Sequence, residues 1–142
     1  MGNLSAFLAQ NVVKEENTKY VVSERFVDEK KKPIPWEIKA ISGTEDEALR
    51  KECTKRVPVP GKRGQYNKET DYNEYLAKLA VICTVFPNLH DSELQDSYKA
   101  MGAEDLIRKM LLPGEYANYL EKVQEVNKFD ISTDELVEEV KN

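Results

Sequence analysis

Hydrophobic and polar positions divide the chain into two unlike parts near residue 43. From Thr18 the pattern has period two, with Tyr20, Val22 and Phe26 on one face and Val21, Arg25 and Val27 on the other. Such alternation, rich in β-branched and aromatic residues, predicts a strand. After the polar run DEKKKP and Pro35, the segment WEIKAI sets Trp36, Ile38 and Ala40 against Glu37 and Lys39, so the two segments predict a β-hairpin. Ahead of it, Leu4, Ala6, Phe7 and Leu8 follow Asn3, a residue able to cap one or two helical turns that would be marginal alone.

From Thr44 onward the periodicity is helical. Thr44 with Glu47 predicts a capping box opening a helix to about Arg56, with Ala48, Leu49 and Cys53 as a thin apolar stripe. Residues 57–70 carry two prolines and two glycines and read as a flexible loop. Asp71 then caps a helix in which Tyr72, Tyr75, Leu79, Ile82 and Phe86 recur at helical spacing, with Ala77, Val81 and Val85 opposite. A helix apolar nearly all round is the expected core helix, and Pro87 ends it. Ser92 with Gln95 predicts a further capping box, with Leu94, Tyr98 and Met101 inward and Gly102 as the left-handed residue after the helix. Leu106, Ile107, Met110 and Leu111 form the next stripe. Pro113 suits a first helical turn, and Tyr116, Tyr119, Leu120, Val123 and Val126 continue from it. Ser132 with Glu135 predicts a last acidic helix bearing Leu136, Val137 and Val140. The expected fold is α+β, an N-terminal β-hairpin beside five or six short helices. It forms one domain over 1–142, with residues 1–43 as the N-terminal part and 44–142 as the helical part.

Composition narrows the chemistry. A chain of 142 residues suits a single domain. The net charge of −5 and pI near 5.1 disfavour a dedicated nucleic-acid binder. Cys53 and Cys83 are too few for a disulfide scaffold and read as buried hydrophobes in a reducing cytosol. The longest apolar stretch, LAVICTVF, falls far below the roughly 18 residues a membrane span needs. The first residues lack a basic leader region, and Ala6 stands where a myristoylation signal needs Ser or Thr. A protein that begins as written and stays off the membrane is expected.

No catalytic constellation emerges. His90 is the only histidine and has neither a second histidine nor a cysteine pair with which to bind zinc, so no metal or other cofactor is expected. Cys53 and Cys83 sit on apolar stripes without the basic setting that activates a thiol. The tract PGKRG lacks the spacing of a phosphate loop. Glu104, Asp105, Glu138 and Glu139 read as first-turn or surface carboxylates. One charge feature is less ordinary: residues 50–63 hold six Lys or Arg against Glu52, and residues 115–142 hold eight acids against three bases. Lys55, Arg56, Lys62 and Arg63 are candidate anion contacts, with Tyr66 able to stack on a base, and head-to-tail docking between chains is the other functional reading. A solvated loop is the plainer account.

From Leu4 almost to its end the chain resembles the XkdN-like tail assembly chaperones of contractile-tailed phages and defective prophages. The resemblance is carried by NLSAFLAQNV, by VVSERFVDEKKKPIPWEIKAI, by LRKECTK, and by the long run from DYNEYLAKLAVICTVFPNLH to GEYANYLEKVQEVNKF. It implies a non-enzymatic chaperone that holds the tape measure protein in the host bacterial cytoplasm and is absent from the finished virion. It also implies a longer frameshifted product that recruits the tail tube protein, of which this chain would be the short form. The residues agree with a binding role. The terminal segments, with Leu4, Phe7 and Leu8 and with Leu136, Val137 and Val140, are too short to be stable unpacked and suit a helical client, or else dock on the protein's own core. The strand bearing Tyr20, Val22 and Phe26 has an uncovered edge on which copies could associate into an oligomer. The competing reading is a small phage or bacterial regulatory protein that binds nucleic acid through residues 50–63.

Overall fold

The protein is described by a computed structural model over residues 2–129; Leu136, Val137 and Val140 lie outside the described residues. A 3-10 turn, Gly2–Phe7, precedes strand β1, Thr18–Tyr20, and strand β2, Trp36–Ile38. Helix α1, Gly43–Glu52, leads into strands β3, Thr54–Pro58, and β4, Tyr66–Thr70. Helix α2, Tyr72–Cys83, runs directly into strand β5, Thr84–Phe86. Helices α3, Ser92–Ser97, α4, Ala103–Met110, and α5, Pro113–Val126, complete an α+β fold.

The predicted N-terminal hairpin is present, with Thr18 opposite Ile38 and Tyr20 opposite Trp36. Its first strand is shorter than the alternation suggested, because the Ser23 hydroxyl accepts the Arg25 backbone N–H at 3.1 Å and turns the chain away from the ladder. Val22 and Phe26 therefore reach the core from a loop. On its other side β2 pairs with β5, Ile38 opposite Thr84, so β2 is the centre of a three-stranded antiparallel sheet.

Two stretches expected to be loop or helix are strands. Residues 57–70 are not a flexible loop: β3 and β4 form a second hairpin in register from Thr54 opposite Thr70 to Pro58 opposite Tyr66. The Thr54 and Thr70 hydroxyls meet at 2.8 Å, and the Arg56 guanidinium lies 4.6 Å from the centre of the Tyr66 ring. Gly61 and Gly64, at φ of 77° and 79°, supply the left-handed positions of the turn. The helix expected to reach Phe86 stops at Cys83, where the Thr84 hydroxyl bonds the Ala80 carbonyl at 2.6 Å and the Tyr119 hydroxyl at 2.6 Å. The β-branched run that follows satisfies its backbone on β2 instead.

The caps shift as well. α1 starts from Ser42, not Thr44: the Ser42 hydroxyl accepts the Glu45 N–H and the Glu45 carboxylate accepts the Ser42 N–H, each at 3.2 Å. α3 starts from Asp91, whose carboxylate accepts the Leu94 N–H at 2.9 Å, while Asp71 caps α2 as its position predicts. The left-handed residue after α3 is Lys99, not Gly102. With φ of 55° it lets the Lys99 N–H reach the Asp96 carbonyl and the Ala100 N–H reach the Gln95 carbonyl. Gly102, at φ of 103°, opens α4.

The core lies between the central sheet and the helices. Trp36 and Ile38 of β2 meet Tyr75, Leu79, Ala80 and Cys83 of α2, Leu106, Ile107 and Met110 of α4, and Tyr119 and Val123 of α5. The Tyr119 ring packs edge-on to Trp36 at 5.1 Å and stacked on Tyr20 at 6.4 Å. Ile82 is 38% exposed and Met101 92% exposed, so neither is the inward position its spacing suggested. The buried face of α2 is centred on Tyr75, Leu79 and Cys83.

Candidate functional site

The N-terminal segment is an apolar arm that does not join the core. Leu4 and Phe7 are 74% and 77% exposed, and Leu8, Val12 and Val13 are exposed beside them. The arm holds its own shape, with the Asn11 side-chain amide donating to the Ser5 carbonyl at 2.8 Å and the Val12 N–H to the Leu8 carbonyl at 3.1 Å. At its root Glu15 pairs with Lys128 at 3.5 Å, just after α5. The arm and the chain leaving α5 thus issue from one end of the molecule.

A second apolar feature is assembled from distant parts of the sequence. Phe26, Ile34, Trp36, Phe86, Pro87 and Met110 line an open cleft of about 180 Å³. Ile34, Phe86 and Pro87 gave no sign of such a role, since they meet only when β5 adds to β2. Of the three residues expected on a self-association edge, Tyr20 lies on outer strand β1, Val22 is buried, and Phe26 lines this cleft.

The basic residues divide. Lys62 and Arg63 stand exposed in the turn between β3 and β4. Lys55 and Arg56 instead gather with Arg50, Lys51 and Lys68, beside Glu47 and Thr54, around a cavity of about 400 Å³. The Arg50 guanidinium is already engaged by Asp46 at 2.9 Å and lies 4.5 Å from the centre of the Tyr75 ring. Lys68 carried no sequence signal; only the hairpin register brings it opposite Arg56.

Reactive groups are quiet. Cys53 and Cys83 are buried, and burial pushes both thiols above their ordinary range. The Asn127 side-chain amide donates to the Cys83 sulfur at 3.4 Å. His90 is exposed on the connection between β5 and α3. Among the described residues there is no group of three or more His, Cys, Asp or Glu placed to hold a metal ion, and no helix long and apolar enough to cross a membrane.

The chain is similar to known proteins in sequence and in fold. The sequence profile of the family described as phage XkdN-like tail assembly chaperone protein matches residues 4–141. YqbN of Bacillus subtilis (strain 168) is 36% identical over 141 residues, covering 99% of this chain and 93% of that protein. The phage-like element PBSX protein XkdN of the same strain is 34% identical, covering 99% and 94%. The crystal structure of YqbN superposes with a TM-score of 0.76 at 31% identity, over 89% of this chain and 96% of that one. A profile spanning almost the whole chain, and two relatives matched nearly end to end, place this chain in the phage XkdN-like tail assembly chaperone family.

Proposed function

We propose that this chaperone binds the tape measure protein of its phage and keeps it soluble until the tail tube forms around it, without catalysing a reaction. The observation that carries this reading is the N-terminal arm, whose Leu4 and Phe7 are about three-quarters exposed and stand outside the core cluster. Large apolar side chains kept in water on a short projecting segment suit a partner that supplies the missing face. A long helical client with apolar stripes is such a partner, taken up by helix packing. The cleft around Trp36 and Phe86 offers a second apolar contact. Work in the host cytoplasm, release before the virion is complete, and a frameshifted longer form that recruits the tail tube protein belong to the same reading.

Co-expression with the tape measure protein of the same phage tests it. Soluble recovery of the client is expected to rise with the intact chaperone and to fall when Leu4→Ser and Phe7→Ser are combined, with thermal stability of the chaperone unchanged because both side chains are exposed. Equal recovery with and without the chaperone would overturn the client assignment. Equal recovery with the arm variant would remove the arm from it.

A further inference from the structure

We infer that the apolar cleft around Trp36 and Phe86 receives the N-terminal arm of a second copy of this chain, with Phe7 as the anchor. The inference goes beyond the client reading, because it concerns the free chaperone, in which neither arm nor cleft has a client to meet.

Arm and cleft match in chemistry and in size. The cleft is walled by Phe26, Trp36 and Phe86 together with Met110, and aromatic rings beside a thioether favour an aromatic guest. An apolar cavity of ~150 Å³ holds a benzene ring, so the cleft's volume of about 180 Å³ has room for one phenyl side chain. Phe7 is the only aromatic residue of the arm. At 77% it is also the most exposed aromatic ring among the described residues, so it has the most apolar surface to gain from such a seat.

The occupant is a second copy because the two features lie at opposite ends of the central sheet. The arm enters β1 at Thr18, which stands opposite Ile38, and Ile38 in turn stands opposite Thr84. The cleft lies at the other end, where Trp36 faces Tyr20 and where β5 runs out at Phe86 and Pro87. To enter its own cleft the arm would have to double back along the sheet past Glu15, which is tied to Lys128 at 3.5 Å. A neighbour's cleft requires no reversal. A knob at one end and its hole at the other make a heterologous contact, which joins copies head to tail. The exposed apolar side chains of the arm offer on the order of 500 Å² per copy, short of the ~800 Å² per partner of a standard interface. The contact is therefore weak and grows with protein concentration.

Sedimentation of the full-length chain without client, over a wide range of concentrations, tests this. The mean mass of the wild type is expected to rise with concentration. Phe7→Ser removes the knob and Phe86→Ser, at a position 52% exposed, damages the hole; each variant alone should associate about tenfold more weakly or less. An equimolar mixture of the two variants keeps one intact arm and one intact cleft, so it should form pairs and extend no further. A wild type that stays monomeric throughout would overturn the inference, as would a Phe7→Ser variant that associates like the wild type, or a mixture that associates no better than its components. Should Phe86→Ser fail to fold, fluorescence of Trp36, the single tryptophan and part of the cleft wall, decides the matter. A concentration-dependent change in the wild type that is lost in Phe7→Ser is the expected result, and the same response in both would overturn the inference. No client is present in these measurements, so their outcome is separate from that of the co-expression.

Discussion

Glu115 and Arg25 form an ion pair at 2.6 Å that joins the start of α5 to the loop between β1 and β2. The same Glu115 carboxylate accepts the Leu112 N–H at 2.8 Å, and Arg25 also donates to the Met110 carbonyl at 2.9 Å. The Arg25 guanidinium, with help from Ser23 and the Leu112 N–H, holds the Glu115 carboxyl down to about 2, from an ordinary value of 4.5. A carboxylate with a lowered native pKa stabilises the fold fully above its unfolded pKa, and the contribution is lost as pH falls through the native value. The wild-type protein is therefore expected to lose stability more steeply between about pH 4.5 and 2 than Glu115→Gln does. Denaturant unfolding followed by fluorescence of Trp36, the single tryptophan, reads this out; parallel slopes for the two proteins would contradict the pairing.

Leu79 and Ile82 share a predicted stripe but not an environment. Leu79 is buried beneath the sheet, so Leu79→Ala is expected to cost about 2–5 kcal/mol. Ile82 is partly in solvent and its truncation should cost below about 1 kcal/mol. Equilibrium unfolding of both variants checks the rotation of α2; similar losses would place its buried face elsewhere.

Lys99 occupies the left-handed position after α3 that glycine takes most readily. A non-glycine residue there carries roughly 1–2 kcal/mol of strain, partly offset by the greater freedom glycine has when unfolded. Lys99→Gly is expected to raise stability by about 1 kcal/mol or slightly less, although the substitution removes a surface charge and adds no contact. A lower melting temperature would show that Lys99 makes a compensating contact through its side chain.

The β3–β4 hairpin predicts a graded response to trypsin. Lys62 and Arg63 lie in its exposed turn, whereas Lys55, Arg56 and Lys68 belong to paired strands. First cleavage is expected after Lys62 or Arg63, with the two fragments remaining associated, because the cut leaves the core intact. Cleavage first at Lys55 or Lys68 would indicate that the strands open more readily than their turn.

The strand edge on which copies were expected to associate is shorter than the hairpin pattern suggested, since β1 spans only Thr18–Tyr20. β5 occupies the second edge of β2, so the outer strands of this sheet among the described residues are the three-residue β1 and β5, while the separate β3–β4 hairpin has five-residue strands.

Local periodicity in the sequence determined what depends on burial of one face: the β1–β2 hairpin, the Asp71 cap and core of α2, the stripes of α4 and α5, and the apolar character of Leu4, Phe7 and Leu8. Order and spacing along the chain also sufficed for the family resemblance. The tertiary structure alone decided what depends on partners distant in the sequence. Thr84 leaves the helix because β2 offers a ladder and Tyr119 a hydroxyl. The strands β3 and β4 were illegible because their residues are charged on both faces, and only pairing with each other makes them strands. That pairing in turn gathers Arg56 and Lys68 beside Arg50, a cluster no linear spacing reveals. Leu4 and Phe7 were legible as apolar, but whether they would fold inward depended on a core already filled by Trp36, Tyr119 and the side of α2 that carries Leu79.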